Sequence, residues 1–496
     1  MTRTAADLGR GLAPARPARP IRAGERIHVL GVAGAGASAA ALQAHWAGAV
    51  VTGCDPGGPS PYTTALEAAG IPIEWRHAAS HVTGAPQPDR LAVTKALTSI
   101  DPDNAELAAA HAAGIATEPW QQVVADAAVG QTLVAIAGTH GKSTTAGWLT
   151  HVLVESGRDP AAFVGALLPT AITGGEPATA RQGGGGVFVV EADEYAANFE
   201  AFRPDIVAIT NLDWDHPDTF ADRAAVVAAV AAWVATVPAA TLVVQAGDPG
   251  VRELLVRVGD RPGGTILVGL ADPGDAGFDL RGRVVAEHAG GTQLEIARLG
   301  GTPLEVALRT AGRHNAANAL VVAGVAVALG LGPGEIAAGL ASFEGVGRRL
   351  ERKGEVGGVA VYDDYGHHPT AIRATLEAVR QREPGRRVWA AYEPLTFHRT
   401  AALLEEFARV LATADGVAIA DIWAGRDPDV TVASAKGLAA AVRAADPGIV
   451  VAAPGSVEAT AGWLAERVQP GDVVLVMGGG RSYLIGELLL AALAGA

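Results

Sequence analysis

The sequence predicts an α/β protein built as three parallel-sheet units. Three observations carry that reading. Short apolar runs repeatedly end in a glycine-bearing or acidic turn and lead at once into helical stretches, as strands linked by crossover helices do. The polar residues of those turns fall at the carboxyl ends of the runs, where open α/β sheets hold ligands. The length, 496 residues, calls for roughly two to four domains.

The opening stretch, residues 1–24, is rich in Arg, Pro and Ala and has no apolar core, so it predicts a disordered tail rather than a signal peptide. A first unit is expected over 25–129. Ile27-His-Val-Leu-Gly-Val-Ala-Gly-Ala-Gly36 reads as a strand entering a glycine turn, with a helical run from Ser38 to Trp46 behind it. Val50 to Asp55 reads as a second short strand ending in an acid. Gly31, Gly34 and Gly36, with Asp55 about twenty residues on, resemble a dinucleotide-binding turn with altered spacing. The same glycines also suit close packing of a helix on a strand, and the residues alone leave both uses open. Leu91 to Thr94 reads as a further strand, and Asn104 to Gly114 as a helix ending at glycine.

The central unit, expected over 130–346, opens with Leu133-Val-Ala-Ile-Ala-Gly-Thr-His-Gly-Lys-Ser-Thr-Thr145. A buried strand, a glycine turn and a helix from Ser143 to Val154 are what a phosphate-binding loop needs. Gly138 and Gly141, flanking Thr139 and His140, let backbone N–H groups reach a phosphate without a Cβ in the way. Lys142 sets a cation by the β/γ-phosphates, and the hydroxyl of Ser143 or Thr144 can ligate Mg²⁺. Ile136 occupies the first glycine of the longer pattern, but Gly-Thr-x-Gly-Lys-Ser is complete, and it predicts a bound nucleoside triphosphate.

Val187 to Val190 is a strand with Glu191, Asp193 and Glu194 at its carboxyl end. Ile206 to Thr210 is another, followed by Asn211-Leu-Asp-Trp-Asp-His-Pro-Asp218. These acids suit a hard cation beside a triphosphate, although surface loops of α/β proteins are often acidic without one. Leu242 to Leu308 reads as an antiparallel β excursion. Gly312-Arg-His-Asn-Ala-Ala-Asn318 then caps an alanine-rich helix, with Asn315 and Asn318 one turn apart.

A third unit, expected over 347–496, starts with Gly347-Arg-Arg-Leu-Glu351. Val359-Ala-Val-Tyr-Asp-Asp-Tyr-Gly-His-His-Pro369 gives a strand, acids and two histidines, then a helix from Thr370. Val388 to Tyr392 and Val473 to Met477 are further strands, and Gly478-Gly-Gly-Arg481 closes the last turn.

A net charge of −14 with no basic block argues against a nucleic-acid partner. The single cysteine, Cys54, excludes an internal disulfide and a cysteine-rich metal site. Ala316 to Leu331, the most apolar stretch, is short for a membrane span and holds Gly324 and Gly330. A cytoplasmic protein without a membrane partner is expected.

In this order, Gly-Thr-His-Gly-Lys-Ser, Glu-Ala-Asp-Glu, Asn-x-Asp-x-Asp-His, Gly-Arg-His-Asn-x-x-Asn, Arg-Arg-x-Glu and Asp-Asp-Tyr-x-His-His-Pro resemble the motifs of the Mur ligases. Those enzymes join amino acids or peptides to the UDP-N-acetylmuramyl precursor of peptidoglycan. The resemblance covers Arg26 to Leu490 and implies three domains: a Rossmann-like UDP-binding domain, a central P-loop ATPase domain and a C-terminal Rossmann-like domain. His140 and the Asp-Asp-Tyr-Gly-His-His-Pro run point to the alanine-adding branch. The implied reaction is ATP- and Mg²⁺-dependent amide formation between UDP-N-acetylmuramate and L-alanine through an acyl phosphate, by a monomer or weak homodimer.

Site residues follow from the same resemblance. Gly138, Thr139, His140, Gly141, Lys142, Ser143 and Thr144 would hold the phosphates, and Asn315 the adenine. Ser143 and Glu191 would hold one Mg²⁺, with His216 placing a second. Arg349 and Asp364 would close over the nucleotide, and Lys142, His216, Arg349, Asp364 and His367 would act in catalysis. Gly31, Gly34 and Gly36, with Asp55 and His77, would face the UDP-sugar.

Several positions depart from the family pattern. The carbamylated lysine of some relatives falls in an alanine run near Ala231, as in the alanine-adding branch. Glu191-Ala-Asp-Glu-Tyr-Ala196 lacks the last acid, and Lys95 and Arg481 are unusual. In the amino-acid pocket, Glu393 replaces an amide and Leu395 a histidine, while Arg399 remains to pair with the amino acid's carboxylate or with Glu393. Two alternatives stay open: a ligase adding a whole tripeptide, which shares Glu-Ala-Asp-Glu-Tyr, and a non-catalytic relative binding ATP and UDP-sugar. Folylpolyglutamate synthetase shares the loop but not the extra first unit.

Overall fold

The computed structural model describes residues 4–271, 277–298, 301–425, 427 and 429–495, and lays three sheets along the chain. The first has five parallel strands in the order Ile73–Glu74, Val50–Cys54, Arg26–Leu30, Arg90–Val93, Ala116–Pro119. Arg26–Leu30 is entirely apolar toward its end and sits at the switch point, with Leu30 level with Cys54 on one side and Val93 on the other. The helices Ala35–Trp46 and Trp120–Ala127 pack together so closely that a Cβ on Gly36 would collide with the Trp120 ring. Gly36 therefore serves close packing.

The opening segment departs from expectation. Residues 4–24 do not form a disordered tail: Ala5–Leu8 packs on Lys95–Ile100 and on Tyr195–Ala201 of the central unit, and the rest runs over the first unit. Arg16 forks onto Glu118 (2.7 Å) and Asp126 (2.8 Å), and Arg19 pairs with Glu25 (2.5 Å). Beneath them the buried Arg90 reaches Glu25, Glu118 and Asp126. Composition made these arginines look solvated; the buried Glu25 close by and the buried Glu118 and Asp126 far along the chain supply their partners.

The central sheet has ten strands, and Thr132–Ala137 lies between Ile206–Ile209 and Val187–Glu191, parallel to both. This placement brings the acidic turns after those two strands beside the turn at 138–141. The expected antiparallel excursion begins later than the sequence suggests. Thr241–Gln245 and Thr265–Leu270 are parallel strands joined by the helix Pro249–Val258, and the antiparallel part runs from Leu280–His288 to Leu304–Leu308. Gly247-Asp-Pro-Gly250 resembles a β-turn, yet Asp248 caps the helix by accepting from the Val251 N–H (2.9 Å), with Pro249 at its first position.

In the third sheet the order is Glu351–Val356, Val359–Asp364, Val473–Gly478, Val388–Glu393, Gly416–Ala420, Val450–Gly455. All pairs are parallel except the first. Asp364 lies level with Met477 and Glu393 with Gly478, so three carboxyl ends face the central unit together. Among the described residues no helix is long and apolar enough to cross a membrane.

Candidate active site

Where the three units meet is a cavity of about 850 Å³ with walls from each of them. Its floor is the turn that Thr132–Ala137 delivers into the helix Lys142–Glu155. Gly138 (φ +126°) and Gly141 (φ +82°) adopt backbone angles that other residues rarely take. A Cβ on Gly138 would collide with the Thr210 hydroxyl, and one on Gly141 would lie 2.6 Å from Asn318 Oδ1. The helix begins at the turn, so its unpaired N–H groups and the positive end of its dipole face the cavity.

Lys142 Nζ donates to the carbonyl of Gly138 (2.6 Å) and to Glu194 Oε2 (2.9 Å), with Asp193 Oδ1 at 3.5 Å. Burial works against its charge, but Glu194 and Asp193 outweigh burial and hold the ammonium above its ordinary pKa. Burial also works to raise Asp193, where Lys142 and His216 prevail and keep the carboxyl low. For Glu194 burial wins, and its carboxyl is raised.

Ser143 Oγ donates to Glu191 Oε1 (3.1 Å) and accepts from Arg349 Nη2 (2.9 Å), which brings a third-unit guanidinium onto the loop. Glu191 is fixed from behind by the Gly165 N–H (2.6 Å).

A second set of contacts docks the third unit. Arg399 donates from Nε to Asp215 Oδ1 (2.7 Å) and from Nη2 to His216 Nδ1 (3.2 Å). Thr370 donates to Asp213 (2.8 Å), and His368 Nε2 to the Trp214 carbonyl (3.1 Å). Arg399 Nη1 is buried with no hydrogen-bond partner. His367 gives its Nδ1–H to the Tyr365 carbonyl (2.9 Å), and burial together with Arg399 holds it well below the usual histidine pKa, so it is neutral.

Asp364 is buried on the wall and raised by burial, and its oxygens accept from the N–H groups of Leu350 (2.7 Å) and Gly366 (2.7 Å). Asn315 gives its amide to the Ala311 carbonyl (2.8 Å) and receives Asn318 (3.3 Å).

Of the residues expected from sequence, the cavity gathers Thr139 to Thr144, Glu191, His216, Asn315, Arg349, Asp364, His367, Leu395, Arg399 and, from the first unit, Gly36. Others lie outside its wall. Gly138 sits behind the turn, against Thr210. Gly31 donates to the Cys54 carbonyl (2.9 Å), and Asp55 accepts from Ala33 N–H (3.1 Å), so both serve the first glycine turn along with Gly34. His77 faces Glu106 (3.3 Å) in a separate cluster. Glu393 is buried behind the wall, burial pushes its carboxyl up to about 7, and Oε2 has no hydrogen-bond partner. Arg399 pairs with Asp215 rather than with Glu393.

Comparison with known proteins agrees with this three-part layout. Family models described as "Mur ligase family, catalytic domain", "Mur ligase middle domain" and "Mur ligase, glutamate ligase domain" match residues 26–132, 136–326 and 348–480. The chain belongs to the Mur ligase family. Among curated Mur ligases, the UDP-N-acetylmuramate–L-alanine ligase of Frankia casuarinae is 36% identical, over 95% of this chain and 98% of its own. That of Acidothermus cellulolyticus is 37% identical, over 94% and 95%. Two solved structures share the fold. The UDP-N-acetylmuramate–alanine ligase of Thermotoga maritima has a TM-score of 0.77 at 23% identity, covering 95% of this chain and 99% of that one. A murein peptide ligase of Psychrobacter arcticus has 0.71 at 24%, over the same shares.

Wall residues given no role by the sequence include Trp120, Asp215 and His368. Asp215 and His368 stand inside quoted motifs, each next to a residue expected on the wall, His216 and His367. Nothing local marks Trp120, which reaches the cavity only through the docking of the first unit.

Proposed function

We infer that this chain is an ATP-dependent ligase that joins L-alanine to UDP-N-acetylmuramate through an acyl phosphate. The observation that carries this is the meeting of Lys142, Ser143, Glu191, Arg349 and Arg399 on one cavity wall, in a chain 36% identical to an L-alanine ligase over nearly its whole length.

In the first step a muramyl carboxylate oxygen bonds to the γ-phosphorus and ADP departs. In the second the alanine nitrogen bonds to the carbonyl carbon, phosphate departs and the amine proton is lost. Charge on the transferring phosphoryl group must be met by fixed donors. The helix start, Lys142 and Arg349 supply them from two units. Lys142 is held by the Gly138 carbonyl and Glu194, ready to exchange those partners for phosphate oxygens. The chemistry of Ser143 Oγ and Glu191 Oε1, hard oxygens 3.1 Å apart, fits Mg²⁺. A bound Mg²⁺ would neutralise the β/γ-phosphates. His216 fits less directly, because Nδ1 accepts from Arg399 and its ring proton therefore sits on Nε2, toward Glu194.

Arg399 Nη1, buried and unpartnered, supports a role in receiving the amino acid's carboxylate. His367 is neutral and keeps its Nε2 lone pair, which suits it to take the amine proton. On this reading Asp364 positions the loop that carries Arg349, Asn315 faces the adenine, and the first unit takes the UDP-sugar. Tripeptide addition is a second reading, favoured by Glu191-Ala-Asp-Glu-Tyr195 and by apolar Leu395 on the wall. Phosphate release with UDP-N-acetylmuramate and either L-alanine or the tripeptide separates the two.

A further inference from the structure

Off the shared cavity wall, which holds none of them, four donors converge inside the first unit. His28 lies on the strand Arg26–Leu30, Cys54 ends the strand Val50–Cys54, His81 is on the helix Ser80–Thr83, and Glu106 is in the first turn of Ala105–Ala113. One ligand atom of each lies within 4.8 Å of all the others. Glu106 receives His28 Nε2 (3.0 Å), His81 Nδ1 (3.0 Å) and the Cys54 thiol (3.3 Å). His28, Cys54 and Glu106 are buried.

Bond lengths of about 2.0 Å for Zn–N and Zn–O and about 2.3 Å for Zn–S make the edges of a zinc tetrahedron roughly 3.3–3.6 Å. The contacts of Glu106 with the other three, at 3.0–3.3 Å, lie within a few tenths of an ångström of those edges, and every remaining pair lies within 4.8 Å. Two imidazoles, a thiol and a carboxylate form a mixed N/S/O set that suits Zn²⁺ and not Mg²⁺ or Ca²⁺. Supporting contacts are in place. His28 Nδ1 meets the Thr52 hydroxyl at 2.7 Å, the outer bond that orients a ligating imidazole. Glu106 is steadied by the Ala78 N–H (2.9 Å) and by His77 (3.3 Å). No hydrogen bond ties down His81 Nε2, so that ring can present either nitrogen.

We propose that His28, Cys54, His81 and Glu106 form a structural Zn²⁺ site in the first unit. Binding forms the Zn–S bond as the Cys54 proton leaves to solvent. The ion ties two strands to two helices one residue before Asp55, whose carboxylate holds the glycine turn through Ala33. Zinc loading therefore stiffens that turn without entering the reaction.

The test uses the full-length protein stripped of metal by a chelator, then titrated with Co²⁺ without nucleotide. Cobalt at this site gives a thiolate-to-metal charge-transfer band and intense tetrahedral visible bands, saturating at a single equivalent and abolished by added Zn²⁺. The cavity acids also attract cobalt, but the chain has one cysteine, so the sulfur band reports this site alone. Cys54→Ser should lose the band, His81→Ala should retain less zinc after dialysis, and Zn²⁺ should raise the melting temperature of the wild-type chain only. If Cys54→Ser does not fold, the wild-type titration still decides. Cobalt uptake with no sulfur band, in protein whose denatured Cys54 still titrates as a thiol, would overturn the site and leave only a hydrogen-bonded cluster.

Discussion

Arg399 of the third unit donates from Nε to Asp215 of the central unit across 2.7 Å, and both groups are buried. Removing one partner from such a pair leaves a buried charge alone, at a cost of about 3–5 kcal/mol. Arg399→Ala is therefore expected to lower the melting temperature by several degrees and to abolish ligase turnover. Arg399→Lys restores the charge but not the fork that spans Asp215 and His216, so stability should recover in part while turnover stays low. Calorimetry and phosphate release read the two effects separately. Full activity in Arg399→Ala would remove this contact from the account.

Lys142→Ala is expected to fold and to lose turnover by a factor on the order of 10²–10³ or more, since a fixed cation no longer meets the phosphoryl group. Its neighbours, the half-exposed Asp193 and the buried Glu194, then lose their counter-ion, and the Glu194 proton is held more tightly folded than unfolded. Stability of this variant should fall as pH rises, relative to wild type, which a series of thermal melts at different pH values would show.

Most of the site was legible because its residues stand in dense polar runs directly after apolar strands, as Lys142, Glu191 and Asp364 do. What the sequence hid depends on partners distant in the chain. Arg16 reads as part of a solvated tail until Glu118 and Asp126 meet it. The parallel strands Thr241–Gln245 and Thr265–Leu270 were masked by a proline–glycine helix start that imitates a turn. Glu393 reads as a pocket residue because the family resemblance sets it in place of a pocket amide, yet it turns behind the wall while Leu395 stays on it.

That separation makes Glu393 a stability group. Burial pushes its carboxyl from 4.5 up to about 7, so the folded chain holds the proton more tightly than the unfolded one. Its contribution is fully present below about pH 4.5 and is lost as pH rises through about 7, a change of about 3 kcal/mol. Glu393→Gln should therefore raise the melting temperature at pH 8, change it little at pH 5 and leave the KM for alanine as it was. Equal melting temperatures of variant and wild type at pH 8 would contradict this.

Leu395 is the wall residue that should govern the acceptor. Leu395→His adds one hydrogen bond to a charged group, worth on the order of 1.5–3 kcal/mol, or roughly a ten- to hundredfold fall in the KM for alanine. The KM for ATP, set at the loop around Lys142, should not move. A parallel change in both constants would mean that Leu395 acts through domain docking rather than through the amino acid.

The most direct measurement is phosphate release from ATP by the wild-type chain, with UDP-N-acetylmuramate and a panel of amino acids and the tripeptide. The account expects release that requires both UDP-N-acetylmuramate and L-alanine, with UDP-N-acetylmuramoyl-L-alanine as product. Release with the tripeptide alone, or none with any acceptor, would contradict it.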